Sequence, residues 1–126
     1  MRSRFVLLAV FALTAAACGG SESEAPAPVS TGDVAAGIDI YNATCVACHG
    51  PEGVGVEGLG KPWVNSDFIN ARTDEEMLDF LIEGRRSDHP DNTTGIAMMP
   101  RGGNPNLSDD QLLDLIAYMR TLNPNG

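Results

Sequence analysis

The sequence predicts an all-α fold, and three observations carry that expectation. Two capping boxes, Thr73-Asp74-Glu75-Glu76 and Ser108-Asp109-Asp110-Gln111, each stand before apolar residues at helical spacing. No segment alternates apolar and polar residues with period two. Residues 32–126 are expected to form one small domain. At that size only about 60 to 65 per cent of the unfolded surface can be buried, so helices gathered around a shared apolar body are favoured over a self-sufficient core.

Residues 1–17 open with Arg2 and Arg4, run through apolar Phe5 to Leu13 and close on Ala15-Ala16-Ala17, the pattern of a secretory signal peptide. The apolar run is too short to span a bilayer as a mature anchor. Cys18 follows at once, and residues 18–31, rich in Ala, Pro, Ser and Glu, read as a flexible tether. This start resembles that of a bacterial lipoprotein, which implies lipidation of Cys18 and attachment to a membrane surface in the periplasm. Ala15 stands where lipoproteins usually carry Leu, so ordinary cleavage after Ala17 is the alternative. Loss of Arg2 and Arg4 leaves six basic residues against seventeen acids, a net charge of −11. Such a surface excludes nucleic acid as a partner and steers basic partners in, an effect that salt weakens.

The first helix is expected from about Asp33 to Cys45, capped by Thr31 or Asp33 and lined by Val34, Ile38 and Tyr41. Gly37 inside it costs about 1 kcal/mol relative to Ala and marks a close approach, with Tyr118 of the last helix as the expected neighbour. Residues 50–62 are glycine-rich and aperiodic, a loop. Gly53-Val54-Gly55-Val56-Glu57-Gly58 matches G-x-G-x-x-G, but no strand precedes it, so a dinucleotide site is rejected. Trp63, Phe68 and Ile69 suggest one helical turn begun at Ser66. The first capping box then opens a helix with Met77, Leu78, Phe80, Leu81 and Ile82 on its core side, ended by Gly84 and followed by Arg85-Arg86. The second opens the last helix, with Leu112, Leu115, Ile116, Met119 and Leu122 on one face and Pro124 beyond it.

Chemistry concentrates at Cys45-Val46-Ala47-Cys48-His49. C-x-x-C-H attaches a c-type haem: two thiols bond its vinyl groups and the adjacent imidazole binds iron. A covalent apolar plate would also supply the missing core, and without it the chain is expected to be largely disordered. A dithiol oxidoreductase would come with a βαβ pattern and a zinc site with further ligands; neither is visible.

Cys45 to His49, the Gly37 to Tyr41 spacing before it, the loop Met98-Met99-Pro100-Arg101-Gly102-Gly103, and Leu107-Ser108-Asp109 leading into a helix with Ala117-Tyr118 together resemble a class I cytochrome c from Gly32 onward. The resemblance implies three to four helices packed around one covalent haem c, with Cys45 and Cys48 as thioether anchors and His49 as proximal iron ligand. It also implies that Pro62 lends its carbonyl to the other nitrogen of His49, and that a loop methionine is the distal ligand. The family commonly places a Gly pair four residues after that methionine, which selects Met98; adjacency to Pro100 selects Met99, the alternative ligand. Met77 and Met119 fall on core faces, and His89 reads as a surface residue. Arg85 or Arg86 either suits the helix terminus or pairs with a haem propionate. The triplets at Asn42 and Asn92 match a glycosylation acceptor and are discounted.

Thioether sulfur favours ferrous iron, and His/Met ligation fills both axial positions. The expected function is one-electron transfer between redox protein partners outside the cytoplasm, by a monomer with no catalytic residue. The rival is an open-iron gas sensor or peroxidase-like enzyme.

Overall fold

A computed structural model describes residues 31–124. The expected signal peptide, Cys18 and nearly all of the tether lie outside the described residues. Among those described the structure is helical, with no strand and two isolated bridges, Val56 with Gly60 and Arg85 with Met98. None of these helices is long and apolar enough to cross a membrane.

Asp33 caps the first helix, α1 (Val34–Ile40), its carboxylate accepting from the N–H groups of Ala35 and Ala36 at 2.8 and 3.2 Å. The chain then runs through a π turn, Tyr41–Cys45, into α2 (Val46–His49). The expected single regular helix is therefore interrupted. A π turn inserts one residue per turn and rotates everything after it, which re-aims the residues of the cysteine motif.

The inward face of α1 also differs from expectation. Gly37 and Tyr41 are buried, whereas Val34 and Ile38 are each 38% exposed. The helix crosses the last helix, α5 (Asp109–Thr121), at Gly37, where a Cβ would collide with the Asp114 carbonyl and press on Tyr118. The face that must approach is the one without side chains, and Ile38 lies about 100° round from Gly37. Asp33 N–H donates to Asp114 Oδ1 at 2.7 Å and pins the same crossing.

The short turn α3 (Asp67–Asn70) and α4 (Asp74–Glu83) follow as expected. Thr73 and Glu76 exchange both capping-box bonds at 3.2 and 2.9 Å, and Ser108 and Gln111 do the same for α5 at 3.2 and 3.0 Å. Met77 and Leu81 of α4 are buried, with Leu78, Phe80 and Ile82 packed partly buried beside them; α5 buries Leu112, Leu115, Ile116, Ala117, Tyr118 and Met119. Arg120 ties α5 to the α3–α4 junction by donating to Asp74 Oδ1 and to the carbonyls of Ile69 and Arg72, all within 2.8 Å. Buried Asn123 receives the Ser66 N–H and donates to the carbonyls of Trp63 and Met119. The helices form a frame open on one side, and the long loops line the opening.

Candidate functional site

That opening is a cavity of about 590 Å³, within the roughly 300 to 1,000 Å³ of small-molecule and cofactor sites. Cys45, Cys48 and His49 contribute one part of its lining; Met98 and Met99 contribute another. Trp63, Phe68, Ile69, Met77, Phe80 and Met119 supply apolar wall and floor. Two thiols, one imidazole and two thioethers thus converge on an otherwise largely apolar hollow, which fits a flat apolar macrocycle anchored at one edge.

His49 Nδ1–H donates to the carbonyl of Lys61 at 2.7 Å, not to that of Pro62. This corrects the expectation by one residue. Pro62 lines the cavity and acts a step removed, because its ring drives the preceding residue into an extended conformation. Gly60 makes the approach possible, since a Cβ there would strike the Cys48 carbonyl. Burial lowers the His49 pKa, an effect partly opposed by the bond to Lys61, and so favours the neutral ring; because Nδ1–H donates that bond, the lone pair of the neutral ring lies at Nε2. Such a bond fixes both tautomer and ring plane.

Cys45 is buried and its thiol is pushed up to about 12, chiefly by desolvation; Cys48 is exposed. Neither is in a disulfide. A thiol held neutral is the reverse of the low-pKa nucleophile that dithiol exchange requires. Among the described residues, no group of three or more His, Cys, Asp or Glu is placed to hold a metal ion, so the four ligands of a structural zinc site are not assembled.

The methionines are placed differently. Met98 is half-buried and packed against the core, and its backbone pairs with Arg85 in both directions, at 2.7 and 2.8 Å. Met99 is 58% exposed. Gly84, at φ +70°, allows this pairing, because a Cβ there would collide with the Met98 carbonyl. The chain then turns at Arg101 and Gly102, both at positive φ, and returns beside Thr44 and Cys45. Arg101 is held in that conformation by donating to the Leu107 carbonyl and Asp109 Oδ1, each at 2.7 Å.

Of the basic pair, Arg85 lines the cavity, with its guanidinium 4.7 and 4.9 Å from the ring centroids of Phe68 and Phe80. Arg86 is exposed and paired with Asp88. His89 is exposed and is not among the residues lining the large cavity.

Sequence reasoning gave Trp63 no role beyond packing. Its ring lies 5.1 Å from that of His49 and 4.7 Å from Tyr41, and Tyr41 in turn sits 5.4 Å from Tyr118. The Tyr41 hydroxyl donates to the Gly50 carbonyl, and burial pushes its pKa up to about 12. This aromatic column backs the imidazole and connects it to the α1–α5 crossing.

Fold and site together define a helical protein built around a covalently attached haem. The profile of the cytochrome c family matches residues 34–123. The chain is 33% identical over 95 residues to cytochrome c-555 of Prosthecochloris aestuarii, covering 74% of this chain and 91% of that one. It is 35% identical over 88 residues to cytochrome c-555 of Chlorobaculum thiosulfatiphilum, covering 69% and 93%. A third relative, the cbb3-type cytochrome c oxidase subunit CcoP of Azospirillum brasilense, is 31% identical over 93 residues, 71% of this chain and 31% of that protein. The chain belongs to the cytochrome c family. It is a class I mono-haem protein that carries haem c and transfers electrons through it.

Proposed function

We propose that the protein is a one-electron carrier of an extracytoplasmic chain, with Cys45 and Cys48 as thioether anchors, His49 as proximal ligand and Met98 as distal ligand. When bound, the haem supplies a metal that changes by one electron between the ferric and ferrous states. The chain's own residues decide how easily that happens. Lys61 holds His49 in one tautomer, so no proton has to move at the imidazole when the charge changes. The apolar wall of Trp63, Phe68, Ile69 and Phe80 keeps water away. The half-buried thioether of Met98, held through the Arg85 backbone, would serve as a second ligand to a bound haem's iron, where a thioether would favour the ferrous state and leave no open position for a substrate. Arg85, on the cavity wall beside the rings of Phe68 and Phe80, would offer its guanidinium to a propionate.

The acidic surface supports a basic docking partner, and the lipoprotein-like start supports a periplasmic carrier tethered through Cys18. The observation that carries the ligand assignment is the contrast between half-buried Met98 and exposed Met99 at one cavity. The test is the near-infrared sulfur-to-iron band of the ferric protein. Met98→Ala is expected to abolish it and Met99→Ala to leave it; the opposite pattern overturns the assignment. A reduced spectrum of the unmutated protein that shifts readily on adding carbon monoxide would instead favour open-iron chemistry.

A further inference from the structure

Residues 86–97 make a twelve-residue excursion between α4 and the methionines. The Arg85–Met98 backbone pair fastens its base. Within the excursion one side chain makes most of the cross-connections. Asn92 Nδ2 donates to the carbonyls of Arg86, at 3.0 Å, and Ile96, at 2.8 Å. Its Oδ1 accepts from the N–H groups of Thr94 and Gly95, at 3.1 and 2.9 Å, and from the Thr94 hydroxyl at 3.3 Å. Asn92 also lines the haem cavity.

The placement of the two acceptors matters. Arg86 follows Arg85 on the outgoing limb, and Ile96 lies two residues before Met98 on the returning one. The side-chain amide therefore bridges the limbs just beyond the backbone pair, as a second rung. Closing a long loop at its base alone leaves its limbs free to separate beyond it, whereas a mid-loop side chain tied to both limbs divides it into two short turns. Asparagine suits this position because its amide carries two N–H donors and an acceptor oxygen.

We propose that Asn92 is a positioning residue for the iron-binding sulfur: by clamping the carbonyls of Arg86 and Ile96 it holds Met98 against the cavity and sets how readily an outside ligand displaces it. This inference rests on the reading of Met98 as distal ligand. A carboxylate of the same shape has no donor for the two carbonyls and faces them with negative charge. The clamp then opens while the rest of the chain is unchanged.

The experiment compares the intact haem-loaded protein with Asn92→Asp, Asn92→Ser, Ser87→Ala and Met98→Ala. The readouts are the near-infrared band, ferrous affinity for carbon monoxide, hydrogen exchange at the Arg85 and Met98 amides, and helical circular dichroism. Asn92→Asp is expected to raise carbon monoxide affinity by about tenfold, the equivalent of losing roughly one hydrogen-bonded contact. It should weaken the band and speed exchange at both amides, with haem attachment and helical signal retained. Asn92→Ser, which cannot span the limbs but adds no charge, is expected to do the same more weakly and covers a failure of Asn92→Asp to fold. Ser87→Ala, on the same excursion and outside the clamp, should match the unmutated protein. Wild-type behaviour of the Asn92 variants, with Met98→Ala losing the band, overturns the role of Asn92 and leaves the ligand assignment standing. Persistence of the band in Met98→Ala overturns both.

Discussion

The two walls of the haem cavity are built by different means. Cys45, Cys48 and His49 arrive on one continuous helical run packed through Gly37 and Tyr41 against α5, and the imidazole is oriented by a backbone carbonyl. Met98 arrives on a loop fastened by one pair of backbone bonds and a few side-chain contacts. The first wall draws on the cooperative helical core; the second can open locally without unfolding it. Ligand exchange and adjustment of the site are therefore expected on the methionine side, while the thioether and imidazole side serves as the fixed reference.

Two glycines break the comparison most sharply. Gly37→Ala puts a methyl group into the Asp114 carbonyl and should destabilise the whole domain by about 2 kcal/mol or more even after the gain in helix propensity, seen as loss of helical circular dichroism at lower denaturant. Gly84→Ala puts one into the Met98 carbonyl at a positive-φ position, a strain of about 1 to 3 kcal/mol. Its expected signature differs: the sulfur-to-iron band weakens while the helices persist.

A smaller effect tests the proximal side alone. Burial raises the Tyr41 pKa from 10 to about 12, so the folded state holds the phenolic proton more tightly than the unfolded one. That contribution is complete below pH 10 and is lost as pH climbs toward 12. Tyr41→Phe should cost about 1 kcal/mol at neutral pH through loss of the bond to Gly50, and should flatten the fall in stability over that alkaline window, read from denaturant midpoints at successive pH values. Tyr118, whose pKa burial also raises, contributes to the slope that remains. The smallest effect is at Ile38→Lys, which should change stability by less than about 0.5 kcal/mol because the residue points outward; a loss of several kcal/mol there would show that the face of α1 has been misassigned.

The pattern of success in reading the sequence follows from what each signal encodes. Both capping boxes, the turn at Ser66 and the helix stop at Gly84 were legible because local side-chain chemistry specifies them. The inward face of α1 was not, since counting apolar residues favours Val34 and Ile38 while the crossing is made where side chains are missing. The π turn leaves no mark in a pattern read at one fixed period. The acceptor for His49 was displaced from Pro62 to Lys61 because every residue offers the same carbonyl, and only the path of the chain decides which one arrives. Counting back from Gly102 pointed to Met98; of the two methionines, Met98 packs against the core and Met99 is exposed. Asn92 and Arg101 were passed over because their parts depend on partners that the fold alone brings near.

We propose a division of the haem's support between the helical core on one side and a separately fastened loop on the other. Its most direct test is a denaturant titration of the ferric protein, followed at once by the near-infrared sulfur-to-iron band and by far-ultraviolet circular dichroism. The band is expected to vanish at a lower denaturant concentration than the helical signal, leaving a folded protein whose distal position is open. Coincident loss of the two signals in a single transition would contradict it.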